Sequence, residues 1–264
     1  MIDLHSHILY GIDDGATDMQ MTLEMLKIAE KDGITTMVAT PHYIVGANQY
    51  DQDDLKRRYH EVVDCIKRNS INIELLLGNE LYLDEYILES LEQDECYSMG
   101  GTRYVLLELP MLGIPIYTEK VFYDLINKKY KPILAHPERY IPVQEDPNIL
   151  IDYINMGCII QVNSSSINGI SGGKSRETAR LLLENNMAHL IATDCHSNGR
   201  RQPQLSMAYM QVVSWIGKEK SNNLFFINPR KVLKNEDIDI GEPLYFRKKR
   251  KFLNVLRNYF MATK

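Results

Sequence analysis

Short apolar runs of strand length alternate along this chain with longer segments of helical period. The apolar N-terminus, interrupted by His5-Ser6-His7, predicts a first strand. Residues 19–32 set Leu23, Leu26 and Ile28 among charged positions and stop at Gly33, the pattern of a helix ended by glycine. Residues 34–40 predict the second strand, 55–68 a helix carrying Val62, Val63 and Ile66, and 73–77 the third strand. A short helix over 85–91, a strand over 104–107, a helix over 118–128 and a strand over 132–135 follow. The remaining elements are a helix over 149–156 stopped by Gly157, a strand over 158–162, a helix over 174–185, a strand over 189–193 and a last helix over 204–216.

Seven strands in strict alternation with helices imply parallel strands joined by crossovers, an α/β fold. An open doubly wound sheet satisfies the alternation but gathers its ligands at one switch point. Here six of the seven strands deliver a candidate ligand at or beyond their C-terminal ends, which a closed barrel does most easily. Residues 1–245 contain no linker, repeat or low-complexity stretch and are expected to form one barrel.

Bulk properties narrow the choice of chemistry. A net charge of -5 gives no general drive toward nucleic acid, with Arg247-Lys248-Lys249-Arg250-Lys251 the local exception. Cys65, Cys96, Cys158 and Cys195 have no CxxC-type spacing, so neither a zinc knuckle nor a disulfide scaffold is indicated. Met1 leads straight into Ile2-Asp3-Leu4-His5 without a basic region and long apolar run, so a cytoplasmic address is expected.

Histidines and carboxylates carry the functional signal. His5 and His7 lie two apart, so on a strand they share a face and can hold one ion together. Asp13 and Asp14 follow in the loop Gly11-Ile12-Asp13-Asp14-Gly15, Asp14 being the candidate ligand and Asp13 a competitor for the role or a cap of the turn. His42, Glu80, Glu108 and His136 close or follow successive strands, and Asp194 and His196 repeat the two-residue spacing on the last. Nine candidates exceed the four that one tetrahedral ion takes, so two or three metals are expected. Mixed imidazole and carboxylate donors without thiolate fit Mn²⁺, Fe²⁺, Zn²⁺ or Co²⁺ alike. His60 and His189 read as structural, and Cys195, between two ligands, as packing.

These residues carry a resemblance. His5-Ser6-His7 with Gly11-Ile12-Asp13-Asp14-Gly15 and Ala39-Thr40-Pro41-His42 is similar to the polymerase and histidinol phosphatase (PHP) superfamily. Gly78-Asn79-Glu80, Ala135-His136-Pro137-Glu138-Arg139-Tyr140 and Asp194-Cys195-His196 resemble, within it, the manganese-dependent tyrosine-protein phosphatases of Gram-positive capsule and exopolysaccharide loci. The resemblance implies a distorted (β/α)₇ TIM-like barrel, a trinuclear metal site and hydrolysis of phosphotyrosine on a membrane-associated tyrosine autokinase. It places His5, His7, Glu80 and Asp194 on one ion, Glu80, Glu108 and His136 on a second, and Asp14, His42 and His196 on the third. Arg139 matches the family's phosphate-gripping arginine, and a second should follow Asp194-Cys195-His196, where Arg200 and Arg201 compete. A cation cluster suits a phosphate monoester, and no Cys-x5-Arg loop supports a thiolate mechanism. Protonation of the leaving phenolate falls to His136 or His42, if any group performs it.

Tyr43, Tyr50, Tyr82, Met111, Tyr117 and Tyr140 follow strand ends, and of these Tyr140 beside Arg139 is singled out for a substrate rim. Residues 246–264 combine the basic run with apolar positions spaced as one helix face, for packing on the barrel, an anionic membrane or a partner. Two rival functions stay open: a PHP phosphatase of a small metabolite such as histidinol phosphate, and a metal-bound kinase regulator without turnover.

Overall fold

The computed structural model describes residues 1–47 and 50–247. Its strands are β1 (Ile2–Ser6), β2 (Thr36–Ala39), β3 (His42–Tyr43), β4 (Glu74–Leu77), β5 (Glu80–Tyr82), β6 (Tyr104–Glu108), β7 (Lys131–Ala135), β8 (Ile159–Asn163) and β9 (Leu190–Ala192). All pair in parallel. These nine segments make the seven predicted staves, because two staves are broken. β3 resumes β2 beyond Pro41, which has no N–H to give a ladder, and β5 resumes β4 beyond Gly78-Asn79. The lower segments pair in the order β1-β2-β4 and the upper ones in the order β3-β5-β6-β7-β8-β9. A Cβ on Gly78 would stand 3.3 Å from Met99 Cα and Ser98 O, so a larger residue would crowd the stave against this turn.

The ring closes between the first and last staves. Ser6 bridges Cys195 in parallel, His7 N donates to Cys195 O at 2.9 Å, and Asp194 N donates to His5 O at 2.9 Å. The result is the distorted (β/α)₇ barrel that the sequence predicts.

Helix boundaries follow local chemistry. α1 (Met19–Lys31) starts at Asp18, whose carboxylate accepts from Met21 N at 2.9 Å, and the chain leaves it through Gly33 at φ +87. α2 (Gln52–Arg68) starts at Asp51 and carries Asp53 and Asp54 in its first turn and Lys67 and Arg68 in its last, matching the helix dipole. Met25, Leu26 and Ala29 of α1 and Leu55, Val62 and Ile66 of α2 are buried between helices and strands. A second core fills the barrel itself: Leu4, Val38, Leu106, Ile133, Ile159 and Leu190 meet inside it, with Met99 and Val232 packed among them. Burying each of the larger side chains contributes about 1.5–3 kcal/mol.

The chain does not stop being helical at Ile216, where the sequence predicts its last helix to end. Gly217 breaks it, and Lys218–Asn222, a π-helical turn over Asn223–Ile227 and Asn228–Leu233 follow in short pieces. None is long enough to show a period, so the pattern that predicts longer helices misses them. They cover the N-terminal end of the barrel: Phe225 is fully buried, and Asn228 Nδ2 donates to His189 O at 2.8 Å. His189 is a core residue as expected, accepting from Ile160 N through Nδ1 and facing Ile240 O through Nε2. The basic amphipathic segment predicted over 246–264 lies, beyond Arg247, outside the described residues. No helix among the described residues is long and apolar enough to cross a membrane.

Candidate metal centre

Strand alternation explains how an apolar interior gives way to a polar mouth. Val38, Leu76, Leu106 and Ile159 face the barrel interior, and the same faces continue to His42, Glu80, Glu108 and, on β8, Gln161 and Asn163. Two staves need a correction of phase. On β1, Leu4 lies in the interior core, and the register slips between Asp3 and Ser6, which lets His5 and His7 turn to the mouth as well. On β7, Ile133 and Ala135 point inward, so simple alternation would send His136 outward. His136 instead adopts φ 36, ψ 49, a left-handed conformation that turns it into the site. Asp194 is also left-handed, at φ 52. Each such non-glycine residue costs about 1–2 kcal/mol, and both occur at candidate ligands.

All nine candidate ligands converge. His7, Asp14, His42 and His196 form one group, His5, His7 and Glu80 a second, and His42, Glu80 and Glu108 a third, with ligand atoms in each within 4.8 Å of one another. Asp194 Oδ1 lies 3.5 Å from both His5 Nε2 and His7 Nε2, and His136 Nε2 lies 2.9 Å from Glu80 Oε1 and 3.6 Å from Glu108 Oε1. Asp14 Oδ1 stands 3.2 Å from His196 Nε2 and 3.4 Å from His42 Nε2.

This donor set fits divalent cations. Glu80 Oε2 is buried, stands 3.2 Å from His5 Nε2, His7 Nε2 and His42 Nδ1, and makes no hydrogen bond with any of them. A buried carboxylate oxygen that faces three ring nitrogens without hydrogen-bond geometry is arranged as a ligand is around a common centre. His7 Nδ1 lies 2.6 Å from Asp13 Oδ2, which fixes the ring and leaves Nε2 for an ion. Asp13 and Asp14 separate by position: Asp13 orients His7 and accepts from Gly15 N and His42 N, while Asp14 reaches into the imidazole group. Burial raises the Glu80 carboxyl, but His5, His136 and His7 outweigh it and hold the group well below the usual range. Burial, reinforced by the Glu80 charge, pushes Glu108 up to about 7. A cation bound here would displace any proton held on Glu108, since a ligating carboxylate is deprotonated.

The competing arginines separate by position. Arg201 Nη2 lies 2.8 Å from Asp194 Oδ2, and Arg139 Nη1 lies 3.1 Å from the same oxygen. Both line a narrow cleft of about 90 Å³ together with Asp14, Glu108 and His196. Arg200 turns away, its Nη2 donating to Ile170 O at 3.0 Å. The tyrosines also sort themselves, and not as the sequence suggests. Tyr140 is fully buried, donating to Ala135 O at 2.8 Å and accepting from Leu109 N at 2.9 Å, so it supports the His136 loop and forms no part of a rim. Tyr43 is buried against Ser90 and Glu95. Tyr50 lines an adjoining cleft of about 200 Å³ with Ile12, Ile44, Ala47, Asp14 and His42. Glu138, which the sequence offered no reason to single out, is buried beside Arg139, accepts from Asn163 N at 3.1 Å and is pushed up to about 7 by burial.

The chain is 34% identical over 197 residues to the tyrosine-protein phosphatase YwqE of Bacillus subtilis, covering 75% of this chain and 78% of the relative. It is 30% identical over 243 residues to the tyrosine-protein phosphatase CpsB of Streptococcus agalactiae, covering 90% of this chain and all of the relative. A solved structure from the pair YwqE of Bacillus subtilis and CpsB of Streptococcus pneumoniae, metal-dependent tyrosine phosphatases, superposes with a TM-score of 0.89 at 30% identity, covering 94% of this chain and 100% of that one. A β-aspartyl dipeptidase of Fervidobacterium islandicum, at 15% identity and a TM-score of 0.53, shares the fold alone, over 92% of this chain and 75% of its own. Residues 1–234 match the family described as capsular polysaccharide synthesis, CpsB/CapC, and the chain belongs to that family.

Proposed function

We propose that this chain is a metal-dependent protein-tyrosine phosphatase that acts in the cytoplasm on a membrane-associated tyrosine autokinase of a capsule or exopolysaccharide locus. The observation that carries the reading is Asp194: one carboxylate turns Oδ1 toward the imidazoles of His5 and His7 and gives Oδ2 to Arg139 and Arg201. Cation ligands and two phosphate-binding forks are thus built into one cleft. The names of the similar YwqE and CpsB proteins point the same way.

In this reading His5, His7, Glu80 and Asp194 hold one ion, Glu80, Glu108 and His136 a second, and Asp14, His42 and His196 a third. Donors of oxygen and nitrogen without sulfur suit Mn²⁺. Bound cations supply positive charge for the phosphoryl oxygens and a nucleophile from water at neutral pH. Arg139 and Arg201 grip the equatorial oxygens through paired N–H groups and hold the phosphorus in line for displacement. The leaving phenolate, with a conjugate acid near pKa 10, departs with little need of a proton donor. His136 or His42 is the nearest source if one is used.

The shape of the site favours a substrate that inserts only its head. A cleft of about 90 Å³ is far below the ~300–1,000 Å³ that encloses a whole small ligand. The adjoining cleft shares Asp14 and His42 with it and offers Ile12, Ile44 and Tyr50 as walls for an aromatic ring. Phosphotyrosine on a protein meets both conditions. The test is phosphate release from matched phosphotyrosine and phosphoserine peptides and from histidinol phosphate, each with Mn²⁺ and with a chelator. Metal-dependent release from phosphotyrosine alone is expected. Preference for the metabolite would overturn the substrate class, and no release from any of them by metal-loaded protein would favour a regulator.

A further inference from the structure

One stave of the barrel, β8, brings no candidate ligand to the mouth, yet its inward residues Gln161 and Asn163 are fully buried beneath the metal centre. They form a continuous line between two ligands on other staves. His5 Nδ1 lies 2.9 Å from Gln161 Oε1, Gln161 Nε2 lies 2.8 Å from Asn163 Oδ1, and Asn163 Nδ2 lies 2.6 Å from Asp194 Oδ2.

The direction of this line follows from chemistry. An ionised carboxylate only accepts, so the group that Asn163 presents to Asp194 must be its NH₂. Its carbonyl then faces Gln161, which must answer with an NH₂ of its own. The Gln161 carbonyl is left facing His5, so His5 must carry its proton on Nδ1. In the neutral ring that ligates a cation, His5 Nε2 is then the lone pair, pointing at His7 Nε2, Glu80 and Asp194. The charge on one ligand dictates the tautomer of another through two neutral amides, and each amide could in isolation sit either way round.

We propose that Gln161 and Asn163 are positioning residues that form a directional amide relay, coupling His5 to Asp194 so that both present acceptor atoms to the same divalent cation. The inference rests on the metal reading given above. It separates from an ordinary hydrogen bond to a ligating histidine at one point. A carboxylate is commonly the better partner for such a histidine, so Gln161→Glu should tighten metal binding if only the His5 bond matters. Within the relay, the carboxylate that this substitution introduces can only accept, so Asn163 must turn its NH₂ toward it and its carbonyl toward Asp194.

The experiment measures ion content and Mn²⁺ affinity by elemental analysis and chelator competition on the full chain, without reference to turnover. Wild-type protein, Gln161→Glu, Gln161→Leu, Asn163→Leu and the double leucine variant are compared, with thermal melts of the metal-free forms as the check on folding. The relay predicts ~10–100-fold weaker binding of one ion in Gln161→Glu, the remaining ions being retained. It also predicts that the double leucine variant binds no more weakly than the worse single one, because the line is broken once in either case. Binding by Gln161→Glu equal to or tighter than wild type would overturn the relay, as would multiplicative losses in the double variant. If a leucine variant does not fold, the near-isosteric glutamate variant alone decides. Wild-type protein unable to hold any ion would instead sink the metal reading on which the relay stands.

Discussion

Arg201 Nη2 lies 2.8 Å from Oδ2 of Asp194, the oxygen of that carboxylate turned away from the His5 and His7 rings. The arginine that faces the cleft is thus held by the back of a candidate metal ligand, while its neighbour Arg200 donates to Ile170 O outside it. Arg201→Ala is expected to lower kcat/KM for a phosphotyrosine peptide by about 100-fold or more, the loss of one charged, preorganised donor to the transferring group. Arg200→Ala is expected to stay within about twofold, as surface substitutions do. Steady-state kinetics of the two variants decide this, and equal losses would mean that the loop rearranges on binding.

Asp13 fixes the His7 ring through a 2.6 Å contact with Nδ1 and holds the loop through Gly15 N and His42 N. Burial lowers the basicity of His7, but Asp13 and Glu80 outweigh it and raise it well above the ordinary range. Asp13→Asn keeps the size and removes the charge. Its metal affinity should fall by ~10–100-fold, read by chelator competition, with the circular dichroism spectrum unchanged. Unaltered affinity would show that the ring is held by packing alone.

Tyr140→Phe tests the reassignment of Tyr140 from rim to support. The hydroxyl satisfies Ala135 O and Leu109 N in a fully buried position. Removing it should cost about 1–3 kcal/mol of stability in denaturant unfolding. KM for the phosphotyrosine peptide should stay near wild type; a large rise in KM with stability unchanged would restore the rim reading.

His189 gives the protein a pH dependence that is separate from the catalytic end. Burial depresses its imidazole from 6.5 to about 4. The folded value lies below that of the unfolded chain, so the stability this neutral ring contributes is full above about pH 6.5 and is lost as the pH falls through about 4. A difference of that size corresponds to about 3 kcal/mol. Denaturant unfolding of wild type and His189→Gln between pH 4 and 7 should show a weaker acid-side slope in the variant. Parallel slopes would contradict the assignment.

Much of this architecture is legible in the sequence, and for physical reasons. Parallel barrel staves are buried on both faces, so they appear as apolar runs, and the first imidazole or carboxylate beyond each run stands at the mouth. His42, Glu80 and Glu108 announce themselves in that way. The slip on β1 and the left-handed turn at His136 leave no trace in residue type, yet the ligands they redirect were visible because imidazoles at strand ends are conspicuous. Gln161 and Asn163 were hidden for the opposite reason: an amide within an apolar strand carries no charge and matches no motif. Arg200 and Arg201 could not be separated by adjacency, since only the fold decides which of two neighbours faces the cleft. Tyr140 misled because closeness in sequence to Arg139 says nothing about the direction of a ring. The helices after Ile216 escaped because each is shorter than the two turns needed to display a period.

The central claim is that phosphotyrosine is hydrolysed at this cluster of imidazoles and carboxylates, and only when it is loaded with cations. Its most direct test strips the protein with chelator, confirms the loss by elemental analysis, and follows phosphate release from a phosphotyrosine peptide as Mn²⁺ is restored in known equivalents. The rate should be absent at zero, rise with loading and level off near three equivalents, and His136→Ala should stay inactive throughout while keeping its fold. Turnover by protein shown to be free of metal, at the rate of the loaded form, would contradict the account.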